Sequence, residues 1–306
     1  MFRIRFGGLG AALLALAIWG SPAQGADNKP LPKITSKTTL KWVGCGISKK
    51  AYMNALAALY EKKTGIHIQV SGGGATKGIR EVSAGVADIG GSCRFKLPNN
   101  PKEENAVLVP VAWDALVVIT HPDNPVKNIT IDQIRKLYLG QITNWKQLGG
   151  RDAPIHLYVR KGKISGVGLT IRQLVFANYN QDFTPKARRF RSSGPLEKGI
   201  QKDPDAVGIT GISSARKRHV RILELDGKDP SYANIKAGKY LLYRPLYLAY
   251  NPKSPHLKEI KAFIRFADTP AGQKCMRDNG TVPYLSAINL VTKKLHQAIE
   301  ANKRGL

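Results

Sequence analysis

The 306-residue chain is poor in cysteine, methionine and acidic side chains, with three Cys, three Met, and 21 Asp plus Glu against 48 Lys plus Arg. Three cysteines (Cys45, Cys93, Cys275) allow at most one internal disulfide and leave a thiol over, which excludes a disulfide-stapled scaffold. The histidines (His67, His121, His156, His219, His256, His296) lie far apart. No His-x-x-x-His or Cys-x-x-Cys occurs, so no metal is expected. There is no Gly-x-Ser-x-Gly elbow, no Walker A sequence and no other catalytic constellation, so neither enzymatic activity nor a cofactor is expected. After the first 25 residues no apolar stretch reaches membrane length. Basic residues are scattered, with clusters only at Lys186 to Arg191 and Arg216 to Arg221. They are not interleaved with aromatics, so nucleic acid is not an expected partner.

What is present begins with Arg3 and Arg5, an apolar run from Leu9 to Trp19 and the small residues Ala23 and Gly25. These are the three parts of a secretory signal peptide over residues 1–25, which predicts an exported, periplasmic protein. The rest, with 42% hydrophobic and 23% charged residues in the whole chain, has a globular composition. The net charge of +27 sets up a positive potential that attracts anions.

Strand-like and helix-like segments alternate, which predicts an α/β fold with mainly parallel sheets flanked by helices. Thr39 to Val43 reads as a strand, Gly44 to Ser48 as a turn, and Lys49 to Lys63 as a helix capped by Ser48. His67 to Val70, the glycine-rich Ser71 to Thr76 and a helix from Lys77 to Ala84 repeat the pattern. Val86 to Gly91 then leads to the polar turn Ser92-Cys93-Arg94. Val107 to Thr120 reads as a buried strand, and a domain crossing is placed at His121 to Pro125. Residues 27–120 and 245–306 would form one discontinuous domain, and 121–244 an inserted second domain. Within the insert, Thr130 caps a helix over Ile131 to Leu139, Ile142 to Gly150 is a loop, and Gly168 to Tyr179 is a helix. Closing helices over Ile260 to Ala267 and Gly272 to Asp278 bury Cys275.

A desolvated oxyanion needs donors already oriented, because an uncompensated buried charge costs several kcal/mol. Helix-start N–H groups, hydroxyls and arginine forks meet that need. The candidates are Cys45-Gly46-Ile47-Ser48, Gly73-Gly74-Ala75-Thr76, Ser92-Cys93-Arg94, and Arg160 through Ser165 to Gly166.

The order of motifs resembles the phosphate-binding proteins of bacterial phosphate ABC importers. Val70-Ser71-Gly72-Gly73-Gly74, Gly85-Val86-Ala87-Asp88-Ile89-Gly90-Gly91-Ser92 and Ile129-Thr130-Ile131-Asp132 carry the likeness. Gly140-Gln141-Ile142-Thr143-Asn144-Trp145 carries it most specifically. The resemblance, over roughly Leu40 to Leu285, implies a monomeric two-domain periplasmic binding protein with a two-stranded hinge and its ligand in the interdomain cleft. That ligand would be phosphate or a similar oxyanion, delivered to an ABC permease of the inner membrane. By position it implies a ligand set of Gly46, Ser48, Gly74, Ala75, Thr76, Ser92, Arg94, Arg160, Ser165 and Gly166. The chain departs from the family pattern in three places. Cys93 or Arg94 stands where many members keep an aspartate, and Val167 where a threonine is expected. Cys45 and Cys93 fall on two loops that converge on one cleft, where they would fill tight turns, pair, or face a soft ligand. A fold repurposed for signalling, adhesion or another ligand is the alternative.

Overall fold

The computed structural model describes residues 38–295, so the expected signal peptide lies outside the described residues. Strand β1 (Leu40–Gly44) enters helix α1 (Gly46–Ser48), which widens into a π turn over Lys49–Met53 and continues as α2 (Asn54–Thr64). Strand β2 (Ile68–Gly72), α3 (Ala75–Ser83) and β3 (Ile89–Ser92) follow. The 14-residue β4 (Val107–Thr120) is succeeded by β5 (Asn128–Ile129), α4 (Ile131–Leu139), β6 (His156–Arg160) and α5 (Gly166–Leu174). Then come β7 (Arg188–Phe190), α6 (Ser193–Ile200), β8 (Ala206–Gly211), α7 (Ile212–Ala215), β9 (Arg221–Ile222), β10 (Glu224–Leu225) and α8 (Tyr232–Lys236). Strand β11 (Tyr243–Tyr250), α9 (Leu257–Asp268), α10 (Pro270–Asp278) and β12 (Val282–Pro283) close the chain.

The main sheet runs in the order β2-β1-β3-β11-β4-β8-β6-β7. Its two wings, β2-β1-β3 and β8-β6-β7, are parallel, as crossover helices require. Strands β11 and β4 cross its middle antiparallel. Strand β4 belongs to both halves. Its residues Val107 to Ala115 pair with β11, and Leu116 to Thr120 pair with β8. Both its faces are covered from Val111 onward, which explains a run that is apolar except for Asp114 and the final Thr120.

Two local packings fix the sheet's strands and the segment after β12 against each other. The Trp42 indole lies beneath Gly44 and Gly91, where a Cβ on either glycine would overlap the ring, so the ends of β1 and β3 sit flush over it. Trp113, buried on β4, stacks on Tyr284 at 4.9 Å between ring centroids and ties the turn after β12 to the sheet. Each such buried aromatic contributes about 1.5–3 kcal/mol from area alone.

Several boundaries differ from the sequence reading. The first helix begins at Gly46 and its cap is Cys45, whose thiol accepts from the Ser48 N–H at 3.3 Å, so Ser48 is inside the helix and buried. The helix expected from Gly168 begins at Gly166, capped by Ser165. Cys275 is only half-buried, because the neighbouring Met276 takes the core position on α10. The loop over Ile142 to Gly150 holds one tight turn, Trp145–Leu148, with the Trp145 ring buried and its Nε1 donating to the Asp205 carbonyl at 3.0 Å. No helix of the described residues is long and apolar enough to cross a membrane.

Candidate functional site

A cleft of about 430 Å³ opens where β1, β2 and β3 end and where α5 and α6 begin. Its lining includes Gly46, Gly74, Ala75, Arg160 and Gly166, five of the ten residues singled out from sequence. Cys45, Lys50, Cys93, Arg191, Ser193, Ser214 and Arg218 also line it. None of the described residues lining it is acidic.

Helix starts supply the donors. The chain turns into α3 at Gly74, whose φ of +100° suits glycine, and the Gly74 N–H is held by the Gly44 carbonyl at 3.0 Å. The first N–H groups of a helix lack partners within it, and the starts of α1 and α3, at Gly46 and at Gly74 and Ala75, both line the cleft. On the far wall α5 starts at Gly166. There a Cβ would overlap the Cys93 sulfur, so only glycine lets α5 approach the end of β3 this closely.

Arg160 is held by hydrogen bonds within its own lobe's loops. Its Nη1 donates to the Ser193 hydroxyl at 3.1 Å and its Nη2 to the Arg191 carbonyl at 2.7 Å. Burial lowers its pKa, which the facing thiols oppose. Such a preset fork loses little entropy when it takes an anion.

The remaining predicted residues are placed behind the cleft wall. Arg94 is buried and makes a two-pronged pair with the buried Glu103, Nη2 to Oε1 at 2.6 Å and Nη1 to Oε2 at 2.9 Å. Burial alone would push the Glu103 carboxyl up, but hydrogen bonds from Arg94 and the Leu97 N–H hold it below the usual range. Ser92 closes the same turn, its hydroxyl donating to the Arg94 carbonyl at 2.7 Å. Thr76 donates to the Ile164 carbonyl at 3.2 Å, Ser165 caps α5 through Gly168 N–H at 3.3 Å, and Ser48 bonds the Cys45 sulfur. Val167, where the family pattern has threonine, is buried and off the cleft.

Three groups lie outside the ligand set drawn from sequence, although Arg244 belongs to a stretch, Arg244 to Tyr247, that fits the family pattern. Arg244 on β11 is buried beneath the cleft, its Nη1 donating to the carbonyls of Cys93 and Gly166, both at 3.2 Å. Its Nε and Nη2 find no hydrogen-bond partner among the described residues, although Nη2 lies 3.6 Å from Asp114. Burial raises the Asp114 pKa, which the Arg244 charge opposes. Glu197 is the third. It is fully buried and gathers Thr210, Ser214, Lys50 and Arg218 around its carboxylate. Burial would raise the Glu197 pKa, but the Ser214 hydrogen bond and the Lys50 charge hold it low. The Lys50–Glu197 pair at 3.2 Å joins the helix after β1 to α6 across the cleft. Pairings of this kind are found in three dimensions, because no local motif marks them.

His156, exposed, and the half-buried Asp203 and Asp205 form a cluster elsewhere. They are already paired, His156 with Asp203 at 2.9 Å and Arg151 with Asp205 at 2.6 Å.

Residues 35–269 match the model of the PBP superfamily domain, and the chain belongs to that superfamily. Among curated proteins it is 29% identical over 244 residues to the phosphate-binding protein PstS of Bacillus subtilis, covering 78% of this chain and 79% of that one. Among solved structures it is similar to a phosphate ABC transporter substrate-binding protein from Clostridium perfringens with bound phosphate. That likeness has 28% identity and a TM-score of 0.73 over 80% of this chain and 99% of that one. An ABC-type phosphate transport receptor from Vibrio cholerae follows at 28% identity and TM-score 0.61, over 79% of this chain and 99% of that one.

Proposed function

We propose that this protein is an extracytoplasmic solute-binding protein that captures inorganic phosphate, or a closely similar oxyanion, for an ABC importer. The observation that carries the reading is the cleft itself. The starts of α1, α3 and α5 and the fixed Arg160 fork converge on it, with no acidic residue among the described lining. The phosphate-binding relatives supply the identity of the anion and the ABC context.

The two lobes are those read from the sequence, 27–120 with 245–306 and 121–244, with β4 and β11 as the two strands of the hinge. The open form admits the anion, and N–H groups from both lobes bind the closed form better, which shifts the population toward closure. Lys50–Glu197 and Thr76–Ile164 are the contacts that such closure makes. The binding set drawn from sequence is kept as Gly46, Gly74, Ala75, Arg160 and Gly166. Ser48, Thr76, Ser92, Arg94 and Ser165 shape the loops that carry it. The protein works as a monomer without catalysis, reaches the periplasm through residues 1–25, and hands its ligand to a permease.

Isothermal titration with phosphate, arsenate and sulfate tests this. Heat with phosphate, at an affinity that weakens in Arg160→Ala, is expected; no heat with any of the three anions overturns the reading.

A further inference from the structure

We propose that Cys45 and Cys93 form a reversible modification site, a dithiol in the wall of the cleft that an organic disulfide converts to a Cys45–Cys93 disulfide. Its effect on anion binding rests on the function proposed above; the cross-link itself does not.

The placement follows from the sheet. Strands β1 and β3 are neighbours and parallel, with Gly44 opposite Gly91, and the Cys45 N–H donates to the Gly91 carbonyl at 2.9 Å. The two cysteines therefore leave adjacent strands one position out of register. Strands about 4.8 Å apart put such residues inside the roughly 4.4–6.8 Å between Cα atoms that a disulfide needs. Both cysteines are free, both line the same cleft, and each is otherwise buried. Their surroundings differ in a way that assigns roles. The Cys45 sulfur is anchored to Ser48, 3.3 Å from its N–H and 3.1 Å from its hydroxyl. The Cys93 sulfur lies against Gly166 with Arg244 beneath its carbonyl. A hydrogen bond from Cys45 pulls the Cys93 thiol down to about 6, helped by the charges of Arg244 and Arg160, while burial pushes Cys45 well up. Cys93 is thus the nucleophile and Cys45 the thiol that still carries a proton.

The reaction balances with the disulfide reagent as oxidant. The Cys93 thiolate attacks one sulfur of RSSR; the S–S bond breaks, a Cys93–S–SR bond forms, and RS⁻ leaves. Cys45 gives its proton to that RS⁻, and its thiolate attacks the Cys93 sulfur, expelling a second RS⁻. Two cysteine thiols are oxidised and one reagent disulfide is reduced to two thiols. The product takes the Cys45 sulfur away from the Ser48 N–H. It uncaps α1 and moves the turn that presents the Gly46 N–H to the cleft.

The test is to treat the full chain with bis(2-hydroxyethyl) disulfide, block remaining thiols with iodoacetamide, digest, and titrate the intact protein with inorganic phosphate. Expected are a peptide joining Cys45 to Cys93, a single alkylated thiol at Cys275, and phosphate affinity weakened at least about tenfold and restored by dithiothreitol. The cross-link should vanish in Cys45→Ser, where serine keeps a cap oxygen, and in Cys93→Ser, and persist in Cys275→Ser. Hydroxyethyl adducts without a cross-link, a cross-link through Cys275, or an oxidised protein that binds phosphate as the reduced one does would each overturn the proposal. If the reduced protein binds no phosphate, the proposed function falls, and the cross-linked peptide alone decides the modification site.

Discussion

Arg160 and Arg94 have the same side chain and opposite duties. Arg160 lines the cleft while held by backbone carbonyls, so Arg160→Ala is expected to weaken phosphate binding about 10- to 100-fold with little change in melting temperature. Arg94 faces Glu103, and Arg94→Ala leaves that buried carboxylate with only the Leu97 N–H at 3.0 Å and the longer Arg80 contact at 3.4 Å. The expected cost is about 3–5 kcal/mol of stability, read by denaturant unfolding, with near-normal phosphate affinity in the protein that stays folded. The sequence presents both as an arginine in a polar turn after a strand, and nothing local separates them. What does separate them is a glutamate nine positions on from Arg94, whose approach depends on how the loop folds. The thiol pair adds a pH effect. Because the fold holds Cys93 near 6, against about 8.5 for a free thiol, its thiolate stabilises the native state fully above pH 8.5, and that contribution is lost as pH falls through 6. Cys45, raised, opposes it above that window. The stability gap between wild type and Cys93→Ser should therefore widen from pH 6 to pH 8.5, measured by thermal melts across that range.

At the level of elements, the strand and helix order was legible because periodicity and glycine-rich turns mark β1 to β3, and because β4 is long and apolar. The helix starts were less so. Ser48 has the residue type of a cap, yet Cys45 takes the role, since the flush seat of Gly44 over Trp42 starts the helix three residues early. The short β7, β9, β10 and β12 carry two or three residues each, too few for an alternating pattern to show. The approach of α5 to β3 gives a further expectation. Gly166→Ala places a methyl on the Cys93 sulfur and pushes α5 away, so phosphate affinity should fall at least about tenfold while secondary structure by circular dichroism is unchanged. Cys93→Ala in that background removes the obstructing sulfur, and recovery of part of the affinity checks the cause.

For the molecule as a whole, the excess of basic residues acts at a distance that no single contact covers. With a formal charge of +27, phosphate association measured by stopped flow should slow several-fold between low and high salt as screening shortens the field. An unchanged rate would assign capture to the cleft alone. The sheet order has a different consequence, for how the chain is made. Strand β11 lies between β3 and β4, and its last paired residue is Tyr250. A growing polypeptide therefore carries β1, β2 and β3 with their inner edge open, and β4 without its neighbour on that side, until Tyr250 has been made. Its native core is assembled late, from distant segments and all together.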